Sequence, residues 1–125
     1  MMFGWWLVTV TYLQHHGPDT VAYDAKTWKY VDAAFQTIDR KFGFGVDQLS
    51  HHITDGHVVH HLFFTKIPHY NLPMATKALR EHLEKNNLGW LYTLDKTYDF
   101  PFRIHKYLVE NGFRTKLAKI SPYRA

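Results

Sequence analysis

Apolar and polar positions divide the chain into a solid apolar start followed by amphipathic segments. In residues 1–13 only Gly4, Thr9 and Thr11 interrupt the apolar and aromatic run. A membrane-spanning helix needs roughly 20 apolar residues, so this run is too short to span alone. It also lacks the basic start and small-residue cleavage site of a signal peptide. Two readings remain: a buried strand, favoured by Val8, Thr9, Val10, Thr11 and Tyr12, or the end of a membrane helix. Gly17, Pro18 and Asp19 then signal a turn.

Val31, Ala34, Phe35 and Ile38 recur at helical spacing and predict a short amphipathic helix over residues 27–38. A glycine-punctuated turn at Gly43 and Gly45 follows. Residues 46–64, VDQLSHHITDGHVVHHLFF, predict helix, which Gly56 is placed to interrupt. After the break at residues 66–68, Asn71 caps a helix with Pro73 in its first turn. Met74, Ala75, Ala78, Leu79 and Leu83 form its apolar stripe, and Gly89 is its stop. Leu91, Thr93 and Asp95 alternate before Pro101, and a last helical stretch is expected over residues 102–111, ending at Gly112. The pattern is mainly helical, without repeats or low-complexity tracts.

Composition sharpens the chemistry. The 125 residues contain no cysteine, which excludes disulfides and thiolate metal sites. They contain ten histidines, the commonest metal ligand. The formal charge is +4, with basic residues scattered from Lys26 to Arg124. A membrane face beside anionic lipid accounts for such a distribution, and no nucleic-acid partner is expected. Aromatics are 17% of the chain, a level that either a membrane interface or an aromatic core explains.

On one helix, His57, His60 and His61 are surface neighbours within an arc of about 100°. They can present nitrogens to one metal ion or to two adjacent ones. All-nitrogen ligation suits iron, zinc, copper or nickel and argues against calcium or magnesium. A lone histidine is more often a packed or surface residue than a ligand. Three at this spacing, with His51 and His52 just upstream, reverse that balance. The zincin arrangement is excluded, because no glutamate precedes Glu81. Ser50 lacks the glycine pattern of a nucleophile elbow.

The stretch HHITDGHVVHHLFFTKIPHYNLPMATKAL, residues 51–79, resembles the third histidine box and following helix of membrane fatty acid desaturases. It is most similar to the delta-12 (oleate) and omega-3 subgroup. That pattern reads H-N-I-T-x-x-H-V-x-H-H-L-F, then P-H-Y and an A-T-K-A helix. Upstream, TYLQHHGPDTVAYD resembles the end of the family's last membrane helix and its loop. TWKYVDAAFQTIDRKFGF resembles the family's W-x-x-x-x-x-A-x-x-T-x-D-R segment, and TYDFPFRIHKYL resembles a less diagnostic tail.

The resemblance implies the C-terminal cytosolic helical segment of an integral membrane desaturase, mainly α, with a membrane-helix end at its N-terminus. The implied division is residues 1–14 as that helix end, 15–90 as the third-box region and 91–125 as the tail. The implied activity is oxygen-dependent removal of two hydrogens from adjacent methylenes, of the oleoyl-to-linoleoyl type. The cofactor is two iron ions. His57, His60 and His61 match the box, and His15 matches a further ligand at the end of the preceding membrane helix. His51 and His69 match histidines suited to orienting ligands. The implied partners are a phospholipid- or CoA-linked acyl substrate and a membrane. The electron donor is cytochrome b5 with its NADH reductase, or ferredoxin. The implied location is the endoplasmic reticulum membrane, with this segment on the cytosolic side.

Several positions depart from the pattern. His52 stands where Asn is usual and Asn71 where His is frequent, while Pro73 and Met74 replace the usual helix-start residues. Apart from the run at residues 57–61, which matches the third box, no H-x-x-x-H or H-x-x-H-H occurs, so the family's first two boxes are not among these residues. The 125 residues are therefore expected to be a fragment without activity alone. Two rivals stand beside this reading. One is a related hydroxylase, epoxygenase or acetylenase built on the same boxes. The other is a non-catalytic metal-binding module.

Overall fold

In a computed structural model the chain is described for residues 2–96, apart from 18, 19, 22 and 65. The segment expected to be helical over residues 102–111 lies outside the described residues. The described elements are α1 (Met2–His15), α2 (Tyr30–Phe35), β1 (Asp39–Arg40), α3 (Val46–Leu49), α4 (His57–Leu62), α5 (Leu72–Lys85) and β2 (Leu94–Asp95). Single 3-10 turns precede α5 at His69–Asn71 and follow it at Gly89–Leu91.

The apolar start is helix, not strand. Fourteen residues of α1 rise about 21 Å, against the roughly 30 Å of a bilayer's hydrocarbon. Among the described residues no helix is long and apolar enough to cross a membrane. The end of α1 is joined closely to the rest of the fold. The Ile38 amide donates to the Gln14 carbonyl at 2.9 Å, and Gln14 Nε2 donates to the Thr54 carbonyl at 3.1 Å. Arg40 Nε donates to the Leu13 carbonyl at 3.1 Å, and its guanidinium also pairs with Asp95. A cation on these carbonyls compensates the negative end of the helix dipole.

β1 and β2 form a two-stranded parallel sheet, with Asp39 opposite Leu94 and Arg40 opposite Asp95. This pairing brings the segment after α5 back beneath α4. The core around it contains Leu13, Ile38, Val58, Val59, Leu72 and Leu83, all buried. Complete burial of a Val or Leu side chain contributes about 1.5–3 kcal/mol. The adjacent pair Val58 and Val59 is therefore the main apolar anchor of α4.

The histidine-rich stretch is not one helix. α3 ends after four residues, and residues 50–56 form turns before α4 begins. His51 and His52 both take left-handed backbone conformations, with φ of 52° and 58°. A side-chain-bearing residue pays roughly 1–2 kcal/mol for that conformation, and a helix cannot continue through it. Gly56 sits where α4 passes α5. A Cβ there would lie 2.9 Å from the His52 carbonyl oxygen and 3.0 Å from Leu72 Cβ. The expected helix over residues 27–38 is likewise shorter, Tyr30–Phe35, because the chain turns through Thr37 into β1.

α5 starts where Asn71 and Pro73 predict, although the Asn71 side chain makes no capping bond. It ends at Lys85, before Gly89, and Asn87 supplies the left-handed residue after it at φ 58°. Its buried positions are Leu72, Thr76 and Leu83, whereas Met74 is 68% exposed and Ala78 is exposed. The stripe drawn through Met74 and Ala78 is thus rotated from the inner face. Thr76 is buried because the missing side chain at Gly56 leaves room for it: its Oγ1 lies 3.3 Å from the Gly56 Cβ position.

Candidate metal centre

Two separated segments supply the centre. The last residue of α1, His15, faces the first and last turns of α4. His57 Nε2 lies 3.0 Å from His61 Nε2 and 3.2 Å from His15 Nε2. One ligand atom from each of the three residues falls within 4.8 Å of the others. The i, i+4 spacing puts His57 and His61 on one helical face. The bond from Ile38 to the final turn of α1 keeps His15 opposite them.

The ring orientation of His57 is constrained from behind. Its Nδ1 lies 3.1 Å from the Ile53 carbonyl, which can only accept, so Nδ1 carries the proton and Nε2 offers its lone pair. Burial, reinforced by His61 and His15, holds the His57 pKa down to about 3. Burial first, then the charges of His15 and His60, brings His61 to about 4. His15 and His60 are also lowered by burial. The cluster is therefore neutral at pH 7, the state in which imidazole binds metal.

His57 and each of its two neighbours are spaced to share a cation. One Nε2 lone pair cannot serve two neighbouring nitrogens at once, whereas a cation between them can use a lone pair from each. Two imidazole nitrogens bound to one ion at about 2.0–2.1 Å lie about 2.8–3.4 Å apart at octahedral to tetrahedral angles. The His57–His15 and His57–His61 separations fall inside that interval, and all three ligand atoms lie within 4.8 Å of one another.

The other histidines are placed differently. The His60 ring lies beside the cluster, with its centroid 5.5 Å from His61 and 6.0 Å from His57, and its edge contacts Phe64. His51 and His69 pair with each other, ring centroids 4.6 Å apart, and both are exposed. His52 Nδ1 contacts Asp55 at 3.0 Å. Sequence reasoning brought out none of the polar groups that hold α4. Tyr30 donates its hydroxyl to the His61 and Leu62 carbonyls at the helix C-terminus. Asp39 accepts the Val58 amide at 2.8 Å and the Tyr92 hydroxyl. Burial raises Asp39 to about 6, against the opposing effect of the Tyr92 and Val58 hydrogen bonds. Tyr92 is raised too, by burial and by Asp39. The only signal for Asp39 was its place in the T-I-D-R run.

Fold and site together define a helical unit that converges imidazoles from two distant segments on one point. The chain belongs to the fatty acid desaturase family, whose model matches residues 1–94. It is similar to the Delta(12) fatty acid desaturase fat-2 of Caenorhabditis elegans, 44% identical over 121 residues, covering 95% of this chain and 32% of that protein. It is also similar to the Omega-3 fatty acid desaturase fat-1 of Caenorhabditis elegans, 48% identical over 99 residues, covering 78% and 24%. The Delta(12)-fatty-acid desaturase of Arabidopsis thaliana is 45% identical over 91 residues, covering 73% and 22%. The chain thus spans about a third or less of the length of these relatives. Proteins so named are oxidoreductases. No solved structure matches the chain.

Proposed function

We propose that this chain forms the third-histidine-box portion of an acyl desaturase that introduces a double bond into an oleoyl-type chain. The observation that carries the reading is the approach of Nε2 atoms from His15, His57 and His61 within a chain of the desaturase family. His15, His57 and His61 hold one iron through neutral imidazoles. His60, turned to the side of that cluster, serves a second iron together with histidines outside these 125 residues. Bound iron supplies the dioxygen-activating redox chemistry. Converting two methylenes to a double bond with one dioxygen, two external electrons and two protons yields two waters. The electrons come from cytochrome b5 and its NADH reductase, or from ferredoxin.

The residues of the chain present and insulate the site. Ile53 fixes the His57 tautomer through its carbonyl. Val58 and Val59 exclude water behind the ligands. Residues 1–14 end a membrane helix, and His15 follows just beyond the hydrocarbon on the cytosolic side of the endoplasmic reticulum membrane. The relatives named for Delta(12) activity support the oleoyl substrate, carried on phospholipid or CoA.

The test is expression of a complete desaturase containing this segment, in a host supplying oleate, cytochrome b5 and its reductase. Fatty acid analysis should find a new diene with the parent and none with His57→Ala or His60→Ala. Undiminished diene from either variant at equal expression overturns that ligand's assignment. Glycosylation-site mapping in microsomes should put His15 on the cytosolic side, and a lumenal position would remove it from the site.

A further inference from the structure

α4 has an unusual N-terminus for a helix that carries a site. Its cap position is Gly56, which has no side chain to bond the first free amides, and no side-chain cap bond is made there. The amide that a capping side chain ordinarily reaches is the second or third of the helix. In α4 the second is Val58, and its partner comes from a strand 19 positions upstream, Asp39 Oδ1 at 2.8 Å. The side chain of Asp39 is fully enclosed, and its other oxygen accepts the Tyr92 hydroxyl. Tyr92 comes from the segment leading into β2, and the Asp39 amide donates to the neighbouring Thr93 carbonyl at 3.1 Å. The carboxylate is thus fixed on both sides before it meets α4.

We infer that Asp39, braced by Tyr92, is a positioning residue for the metal centre. It caps α4 from outside the helix and so sets where His57 stands relative to His15. The inference rests on the proposed metal-binding role of that cluster. His57 is the first residue of α4 and Val58 the second, so a loosened Val58 amide frees the turn that carries His57. The six-residue helix has no length in reserve to absorb that fraying. His15 is held through the bonds of Ile38, Arg40 and Thr54 to the end of α1, none of which uses the Asp39 side chain, so it does not follow. The Nε2 atoms of His15 and His57 then lose their spacing. An acceptor is the essential property at position 39, so Asp39→Asn preserves the cap while Asp39→Ala removes it. The Asn amide can donate to the Tyr92 hydroxyl, which turns to accept.

The experiment is a Co(II) titration of the 125-residue chain in detergent micelles, read by the visible d–d bands, with amide hydrogen exchange at Val58 on the metal-free chain. Asp39→Ala should weaken Co(II) binding about 10–100-fold, the range for removing an outer partner of a ligand, and shift the bands. It should also accelerate Val58 exchange. Asp39→Asn should restore affinity and band position, and Tyr92→Phe should fall between the two. Unchanged affinity and bands in Asp39→Ala, or an Asn variant as impaired as Ala, overturns the inference. If Asp39→Ala loses its helical circular dichroism, Tyr92→Phe decides: shifted bands with helicity retained support the role, and unshifted bands refute it. A parent chain that binds no Co(II) counts against the metal reading instead. Val58 exchange then judges the capping role, and an unchanged rate in Asp39→Ala refutes it.

Discussion

α5 and α4 are neighbouring helices built on opposite principles. α5 has 14 residues, a proline in its first turn and a run of Leu, Ala, Lys, Arg and Glu. Those residues favour helix on their own. α4 has six residues, HVVHHL, two of them β-branched valines. Isolated helices shorter than about 12–15 residues are marginal in water. α4 depends on its surroundings: Asp39 at its start, Tyr30 at its end and the buried Val58 and Val59 between. The helix that its own sequence specifies is scaffold. The helix that the fold has to impose carries the candidate ligands. Ligands on an imposed helix take their positions from the groups that impose it.

Substitutions separate the two helices most sharply by activity. In a complete desaturase containing this segment, His61→Ala on α4 should reduce diene formation below detection. Lys77→Ala on the exposed face of α5, which removes a solvent-exposed ion pair with Glu81 at 3.8 Å, should leave it nearly unchanged, since such pairs contribute little. Comparable losses from both would erase the distinction.

Stability orders the next substitutions. Leu83→Ala, at a buried position of α5, should cost about 2–5 kcal/mol in urea unfolding of the chain in detergent. Gly56→Ala, at the α4–α5 crossing, should cost about 1–3 kcal/mol through overpacking against the His52 carbonyl and Leu72. A neutral Gly56→Ala would mean that the two helices are not pressed together there. Met74→Ser should stay within about 0.5 kcal/mol, because Met74 is largely exposed. A larger loss would restore Met74 to the inner face of α5.

The same contrast explains what was readable in the sequence. The start of α5 was legible because Asn71 and Pro73 are local signals. Its buried face was legible at Leu83 but not at Thr76, which is internal only because Gly56, 20 positions earlier, leaves space for it. The box histidines were legible from spacing. The break between α3 and α4 was not, because left-handed conformations at His51 and His52 are rare for such residues and leave no mark in composition. His15 was matched by resemblance, and its approach to His57 depends on the bond between Ile38 and Gln14. Asp39, Tyr92 and Tyr30 act across distances of 19–53 positions, beyond any local pattern.

The account turns on three nitrogens sharing one ion. Nitrogen NMR of isotope-labelled histidines, during Zn(II) titration of the 125-residue chain in detergent, observes each of them directly, with Zn(II) as a diamagnetic probe. The predicted result is that Nε2 of His15, His57 and His61 shift together and saturate at one equivalent. His57 Nδ1 keeps its proton, and the exposed pair His51 and His69 stays unchanged until more metal is added. Metal arriving first at His51 and His69, or at His57 Nδ1, would contradict the account.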